Sequence, residues 1–228
     1  MRSVLITGAN RGIGLALARQ YATEGARVFA CCRDPGGADK LRDLIASSGC
    51  RLHIVKLDVA DEASIASLKA VLDDQPIDIL INNAGLSGLS ADRIDAAGYI
   101  TTMRVNALAP MLIAQTFREN LTKSTEKKLV AITSIMGSTS TAGGGKYAYR
   151  ASKAALNNGM RGLSRDWARD GILVALLNPG WVQTEMVTGQ TAYISAEECA
   201  RGLIDRINEL SPATSGILQD YRGVRIRW

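Results

Sequence analysis

The apolar run Ser3-Val4-Leu5-Ile6-Thr7 is followed at once by Gly8-Ala9-Asn10-Arg11-Gly12-Ile13-Gly14, and then by the helix-favouring Leu15-Ala16-Leu17-Ala18-Arg19-Gln20. A buried strand, a glycine-rich turn and a helix in that order leave few choices of fold. Gly8 permits a tight turn. Gly12 and Gly14 remove side chains where the backbone must approach a ligand and where the helix must approach the sheet. The helix N-terminus offers unpaired N–H groups and partial positive charge, which suit a pyrophosphate. The spacing is G-x-x-x-G-x-G, with one glycine displaced from the G-x-G-x-x-G pattern of other dinucleotide turns.

The rest of the chain continues the alternation. Strands are expected at Arg27–Cys32, Leu52–Leu57, Ile77–Ile81, Leu129–Thr133, Ile172–Leu177 and Gly216–Gln219. Helical patterns fill 37–47, 61–74, 92–121 with an interruption near Pro110, and 147–169. Ser195-Ala-Glu-Glu198 has capping-box spacing and opens a helix to about 209. This order predicts an α/β fold: a doubly wound, mostly parallel, Rossmann-type sheet with helices on both faces. No repeat, low-complexity tract or linker divides residues 1–228, which read as one domain.

Composition narrows the function classes. The 228 residues are 46% hydrophobic and 21% charged, an ordinary globular balance. No apolar stretch reaches the ~20 residues needed to span a membrane, and the N-terminal run lacks a signal-peptide pattern, so a cytoplasmic location is expected. The net charge of +5 is scattered apart from Arg222, Arg225 and Arg227, with no basic stripe or nucleic-acid module. A nucleic-acid or membrane-surface role for that basic C-terminus is the weakest of the readings. Cys31, Cys32, Cys50 and Cys199 include no C-x-x-C pair and read as free thiols, and the single His53 sits in an apolar run, so no metal site is expected.

In a sheet of this kind ligands bind at the carboxyl ends of the strands. Arg33 and Asp34 follow the second strand: Arg33 could fork onto a 2′-phosphate with Arg11 nearby, and Asp34 could bind ribose or form a turn. Asp58 could accept from an adenine amino group or cap the next helix. Asn82-Asn83-Ala84-Gly85 could hold a strand edge or a ribose. Ser134 ends the fifth strand and Asn178-Pro179-Gly180 the sixth. The cofactor expected is NADP, with NAD the alternative. Tyr149 and Lys153 lie four apart, on one face of a helix and about 6 Å apart along it. A lysine that close favours the phenolate and would bring the tyrosine toward useful proton exchange. Tyr147 has Ala151 four residues on and reads as packing or pocket lining. Trp181, Met186 and Met136 are pocket candidates or simple packing.

As a set these residues resemble the short-chain dehydrogenase/reductase family along essentially the whole chain. The Asn-Arg-Gly-Ile-Gly and Asn-Pro-Gly-Trp-Val-Gln-Thr stretches and Trp228 look like its C-factor and sniffer-type carbonyl reductase branch. The resemblance implies catalytic roles for Asn106, Ser134, Tyr149 and Lys153. Ser134 would donate to the substrate oxygen and Tyr149 deliver the proton. Lys153 would lower the tyrosine pKa and bind the nicotinamide ribose, and Asn106 would hold a water linking Lys153 to solvent. It places the cofactor against Gly8, Asn10, Arg11, Gly12, Ile13, Gly14, Arg33, Asp58, Val59, Asn83, Ala84, Gly85, Tyr149, Lys153, Pro179, Gly180, Val182 and Thr184. Where the family carries an acidic ribose ligand this chain has Cys32, with Arg33 beside it, as in NADP-preferring members. The implied partner is a small carbonyl or alcohol substrate, under a short lid at 181–198. The rival is a nucleotide-bound signalling protein with little turnover. Ala151, Ala154, Ala155 and Gly159 would let the long helix pack on a second subunit, as in a homodimer or homotetramer, or within the chain.

Overall fold

A computed structural model describes residues 1–48, 51–88, 94–185 and 193–228. Among the described residues seven strands form one sheet: β1 (Ser3–Thr7), β2 (Arg27–Cys32), β3 (Leu52–Lys56), β4 (Ile79–Asn82), β5 (Lys128–Ile132), β6 (Leu173–Asn178) and β7 (Leu218–Asp220). Their order is β3-β2-β1-β4-β5-β6-β7, and every pairing is parallel. The sheet is therefore wholly parallel, as expected for strands buried on both faces. The order reverses between β1 and β4, where Leu5 pairs with Leu80 and Ile6 with Ile81. A crevice at the carboxyl ends opens at such a reversal.

The helices are α1 (Gly12–Thr23), α2 (Asp39–Ser48), α3 (Glu62–Leu72), α4 (Ala96–Met103), α5 (Ala109–Thr116), α6 (Arg118–Thr122), α7 (Tyr147–Asp166) and α8 (Ala196–Asn208). Alternate strand residues sort between two cores. Val4, Ile6, Val28 and Ile81 pack with Leu17, Leu41 and Leu203 from α1, α2 and α8. Leu5, Phe29, Leu80 and Leu129 pack with Leu68, Ile113 and Met160 from α3, α5 and α7. The side-chain period of two along each strand produces this division, and it sends adjacent Cys31 and Cys32 to opposite cores. Cys31, Cys32 and Cys199 are free and buried, and Cys50 lies outside the described residues. His53 stacks on Phe29 with ring centroids 5.5 Å apart.

The interruption expected near Pro110 takes a specific form. Residues Arg104–Leu108 make a π-helical turn, with Ala109 N–H donating to the Arg104 carbonyl. Pro110 follows at the start of α5, which continues directly from the π turn, so its missing N–H interrupts the helical ladder there. Gly159 packs within the chain: a Cβ there would come 2.8 Å from Met111 Sδ on α5. The lid expected at 181–198 includes 186–192, and with them Met186, which lie outside the described residues. Its last residues belong instead to α8, whose first turn is capped by Ser195 accepting from Glu198 N–H. Among the described residues no helix is long and apolar enough to cross a membrane.

Candidate active site

The glycine turn is built for an anion. Gly8 has φ 65°, and a Cβ there would press to 3.0 Å from Ala84 Cα. A Cβ on Gly14 would fall 2.3 Å from the Gly8 carbonyl oxygen and 2.5 Å from Asn83 Nδ2. No side chain caps α1, and its first turn carries no acid. By contrast α3 is capped by Asp61 and carries Glu62, and α8 is capped by Ser195 and carries Glu197 and Glu198. The N–H groups and partial charge at the start of α1 are therefore left for a ligand. This is the fit expected of a dinucleotide pyrophosphate at Gly12, Ile13 and Gly14.

β4 is braced against this turn by side chains. Thr7 Oγ1 accepts from Asn83 N–H and Ala84 N–H, each at 3.0 Å. Asn83 Nδ2 donates to the carbonyls of Thr7 at 2.9 Å and Gly8 at 3.0 Å. The Asn83 side chain thus holds the strand edge, one of the two readings for the paired asparagines. Asn82 turns inward and donates to the Pro110 carbonyl at 3.4 Å.

Farther along the crevice, Arg33 is exposed and makes no ion pair among the described residues. Asp34 is a turn residue, its Oδ1 accepting from Gly36 N–H at 3.0 Å. Asp58 does not cap α3, since Asp61 does; its Oδ1 accepts from Ala60 N–H at 2.9 Å, beside Val59. Arg11 is drawn across the glycine turn into an ion pair with Glu185. Thr184 lies over the same turn, its Cγ2 3.2 Å from where a Gly12 Cβ would sit. Val182 bridges to Ile194, and the Pro179 carbonyl, preceding Gly180, accepts from Cys199 Sγ at 3.3 Å. Asn10 is partly buried in the glycine turn.

Ser134, Tyr149 and Lys153 converge at the carboxyl end of β5. Gly137 makes the approach possible: a Cβ there would lie 2.7 Å from the Lys153 carbonyl carbon, so the turn after Ser134 presses directly on α7. Lys153 is 5% exposed and donates from Nζ to the Ile132 carbonyl at 2.8 Å. Its Nζ stands 5.8 Å from the centroid of the Tyr149 ring. Burial pushes the ammonium down to about 8. Burial also pushes the Tyr149 phenol above its ordinary value, and a hydrogen bond with Ser134 partly offsets that. The expectation that Lys153 lowers the tyrosine is thus corrected. The ammonium donates to the Ile132 carbonyl, and loss of hydration is the largest influence on the phenol.

Asn106 is fully buried in the π turn, and its side chain is closed on protein groups. Oδ1 accepts from Leu86 N–H at 2.8 Å, while Nδ2 donates to the Leu86 carbonyl at 2.8 Å and to Ser152 Oγ at 3.0 Å. It clamps the segment after Gly85, where a Cβ would sit 3.3 Å from Asn106 Oδ1 and 3.8 Å from Lys153 Nζ. Two supports were missed by the sequence reading. Asn157 accepts from Thr133 Oγ1 at 2.5 Å and donates to the Gly137 carbonyl at 3.3 Å. Ser152 donates to the Tyr149 carbonyl at 2.8 Å. The stripe Tyr149, Lys153, Asn157 at intervals of four is the signal that could have found the first. Tyr147 and Trp181 are 49% and 37% exposed, so neither is packed in the core.

The family model described as short chain dehydrogenase matches residues 2–194. The C-signal of Myxococcus xanthus is 40% identical over 156 residues, covering 67% of this chain and 93% of that protein. The NADPH-bound carbonyl reductase from chicken fatty liver superposes with a TM-score of 0.91 at 34% identity, covering 100% of this chain and 99% of the other. The carbonyl reductase Sniffer of D. melanogaster gives 0.90 at 30% identity, covering 100% of both. On the matched family model and these full-length likenesses, the chain belongs to the short chain dehydrogenase family of oxidoreductases.

Proposed function

We propose that the chain is an NADP-dependent carbonyl reductase that converts an aldehyde, ketone or quinone to the alcohol, with Tyr149 as the proton donor. The observation that carries this reading is the convergence of Ser134, Tyr149 and buried Lys153 beside an uncapped glycine turn. A bound NADPH supplies the hydride. The N–H groups of Gly12, Ile13 and Gly14 hold its pyrophosphate, Arg33 its 2′-phosphate, and Asp58 with Val59 its adenine. Ala84 and Gly85, with Pro179, Gly180, Val182 and Thr184, flank the reacting end. The NADPH-bound state of the chicken reductase supports this choice of cofactor.

The Ser134 hydroxyl donates to the substrate oxygen, where negative charge develops. Tyr149 moves its phenolic proton to the same oxygen. Burial keeps that phenol neutral in the free protein, which is the form a proton donor requires. The Lys153 ammonium over the ring face stabilises the charge left on the phenol as the proton departs. Asn106 keeps the Gly85–Leu86 segment in place beneath Lys153. The test is NADPH oxidation with aldehyde, ketone and quinone panels. Carbonyl-dependent oxidation in the wild type, lost in Tyr149→Phe, supports the reading; no turnover with any of the three sets it aside.

The likeness to the C-signal favours one alternative, a nucleotide-bound signalling protein. That reading predicts tight NADPH binding without carbonyl-dependent oxidation.

A further inference from the structure

A cavity of about 500 Å³ lies at the amino ends of β6 and β7, the edge of the sheet away from the active site. Its wall is formed by Arg161 and Arg165 from α7, Arg225 and Trp228 from the C-terminal segment, and the hydroxyl of Ser215. No aspartate or glutamate among the described residues lines it. None of the three arginines ion-pairs with a carboxylate among the described residues, whereas Arg19, Arg104 and Arg118 elsewhere each have one. Three guanidiniums around one cavity that no acidic side chain lines raise the local potential and favour an anion there.

The wall is preformed. The Arg161 guanidinium lies over the Trp228 ring at 4.6 Å from its centroid. The Trp228 carbonyl accepts from Ser140 N–H at 3.0 Å, and the Arg227 carbonyl from Ser138 Oγ at 2.6 Å. Ser215 Oγ accepts from Val174 N–H at 3.0 Å, so its own proton is free for another acceptor. Leu173 and Ile217 supply an apolar floor. Forked cations, a hydroxyl donor and an indole beside aliphatic side chains suit a charged head attached to an apolar body.

We propose that this cavity binds an organic oxyanion. Its carboxylate or phosphate head is held by Arg161, Arg165, Arg225 and Ser215, and its apolar body rests against Trp228 and Leu173. The site is separate from the reductase chemistry, because none of the residues that line it is among those that meet at the carboxyl end of β5.

The test is calorimetric titration of the NADPH-saturated protein with decanoate, decyl phosphate and the neutral decanol, alongside intrinsic tryptophan fluorescence. Saturable binding of either anion is expected, weakening as salt rises. Whichever anion binds tighter identifies the head group. The double substitution Arg165→Ala/Arg225→Ala should weaken that anion at least about tenfold, the loss of charge-assisted hydrogen bonds, while NADPH affinity is unchanged. Should that variant fail to fold, Arg165→Gln and Arg225→Gln made singly carry the same expectation of weakened binding. The proposal is overturned by the absence of saturable binding for both anions, by decanol binding equally well, or by unchanged affinity in the arginine variants.

Discussion

The two ends of the parallel sheet carry similar polar residues put to different use. At the amino ends of β1, β4 and β5 the networks are closed. Asp78 accepts from Ser3 N–H and Oγ through one oxygen, and from Thr125 N–H and Glu126 N–H through the other. Asn120 donates to the carbonyls of Asp73 and Gln75 and accepts from Lys69 Nζ. These groups join the strand starts to neighbouring loops and leave nothing for a ligand. At the carboxyl ends closure stops short. α1 starts without a cap, and Lys153 spends one donor on Ile132 and keeps two others. Burial there displaces both a phenol and an ammonium from their ordinary proton affinities. Residue type does not separate scaffold from site; the completeness of partnering does.

This contrast can be broken by substitution, and the largest effect is expected at the carboxyl end. Tyr149→Phe should lower kcat by at least about 10²-fold, the scale of a lost general acid. NADPH affinity should stay within about twofold by direct titration. Substantial residual turnover would remove Tyr149 from its role.

At the amino end, Asp78→Ala should leave KM nearly unchanged and cost about 4 kcal/mol of stability. It strands buried N–H donors that the carboxylate now satisfies. Denaturant midpoints check this, and a normal midpoint with impaired KM would reverse the assignment.

The pH dependence sharpens the comparison further. The folded Lys153 ammonium titrates near 8, below the ordinary 10.5. Between those values the unfolded chain binds more protons, so stability rises with pH across that window, by at most about 3 kcal/mol in total. Below about 8 the full penalty of a buried charge is present. Tyr149, raised by burial, acts in the opposite sense only above the ordinary phenol value. The wild-type denaturation midpoint should gain on that of Lys153→Met from pH 7 to 10, while the buried thiols, raised above their ordinary 9.0, lower the stability of both proteins alike in the upper part of that range. Equal slopes would show that Lys153 is not the group responsible.

The smallest effect is at the exposed rim. Arg33→Ala should weaken NADPH about tenfold and NADH hardly at all, as for one charge-assisted contact near the surface. Equal losses for both cofactors in a binding titration would refute a phosphate role.

The sheet was legible because its signals are local. Apolar β-branched runs bounded by glycine, proline and polar residues located all seven strands to within two residues. The capping box at Ser195 located α8. Ser134, Tyr149 and Lys153 were readable from strand ends and helix spacing. The π turn was not, because it arises where Asn106 must clamp Leu86, a contact twenty residues away in sequence. Nor was the role of Asn157, which depends on Thr133 lying across the gap between β5 and α7. The spacing of Tyr149 and Lys153 gave their rise along a helix but neither the direction of the ammonium nor its hydration.

Chain order, strand periodicity and the glycine turn determined, without coordinates, a parallel sheet with a nucleotide crevice at one end. They could do so because strand alternation and backbone sterics act over a few residues. The tertiary structure alone decided which polar groups stay incompletely partnered. It also decided that burial, rather than the neighbouring charge, governs the phenol, and that three arginines distant from the crevice face a common cavity. Those outcomes depend on solvent exclusion and on the convergence of distant segments, and neither is encoded in any short stretch of the chain.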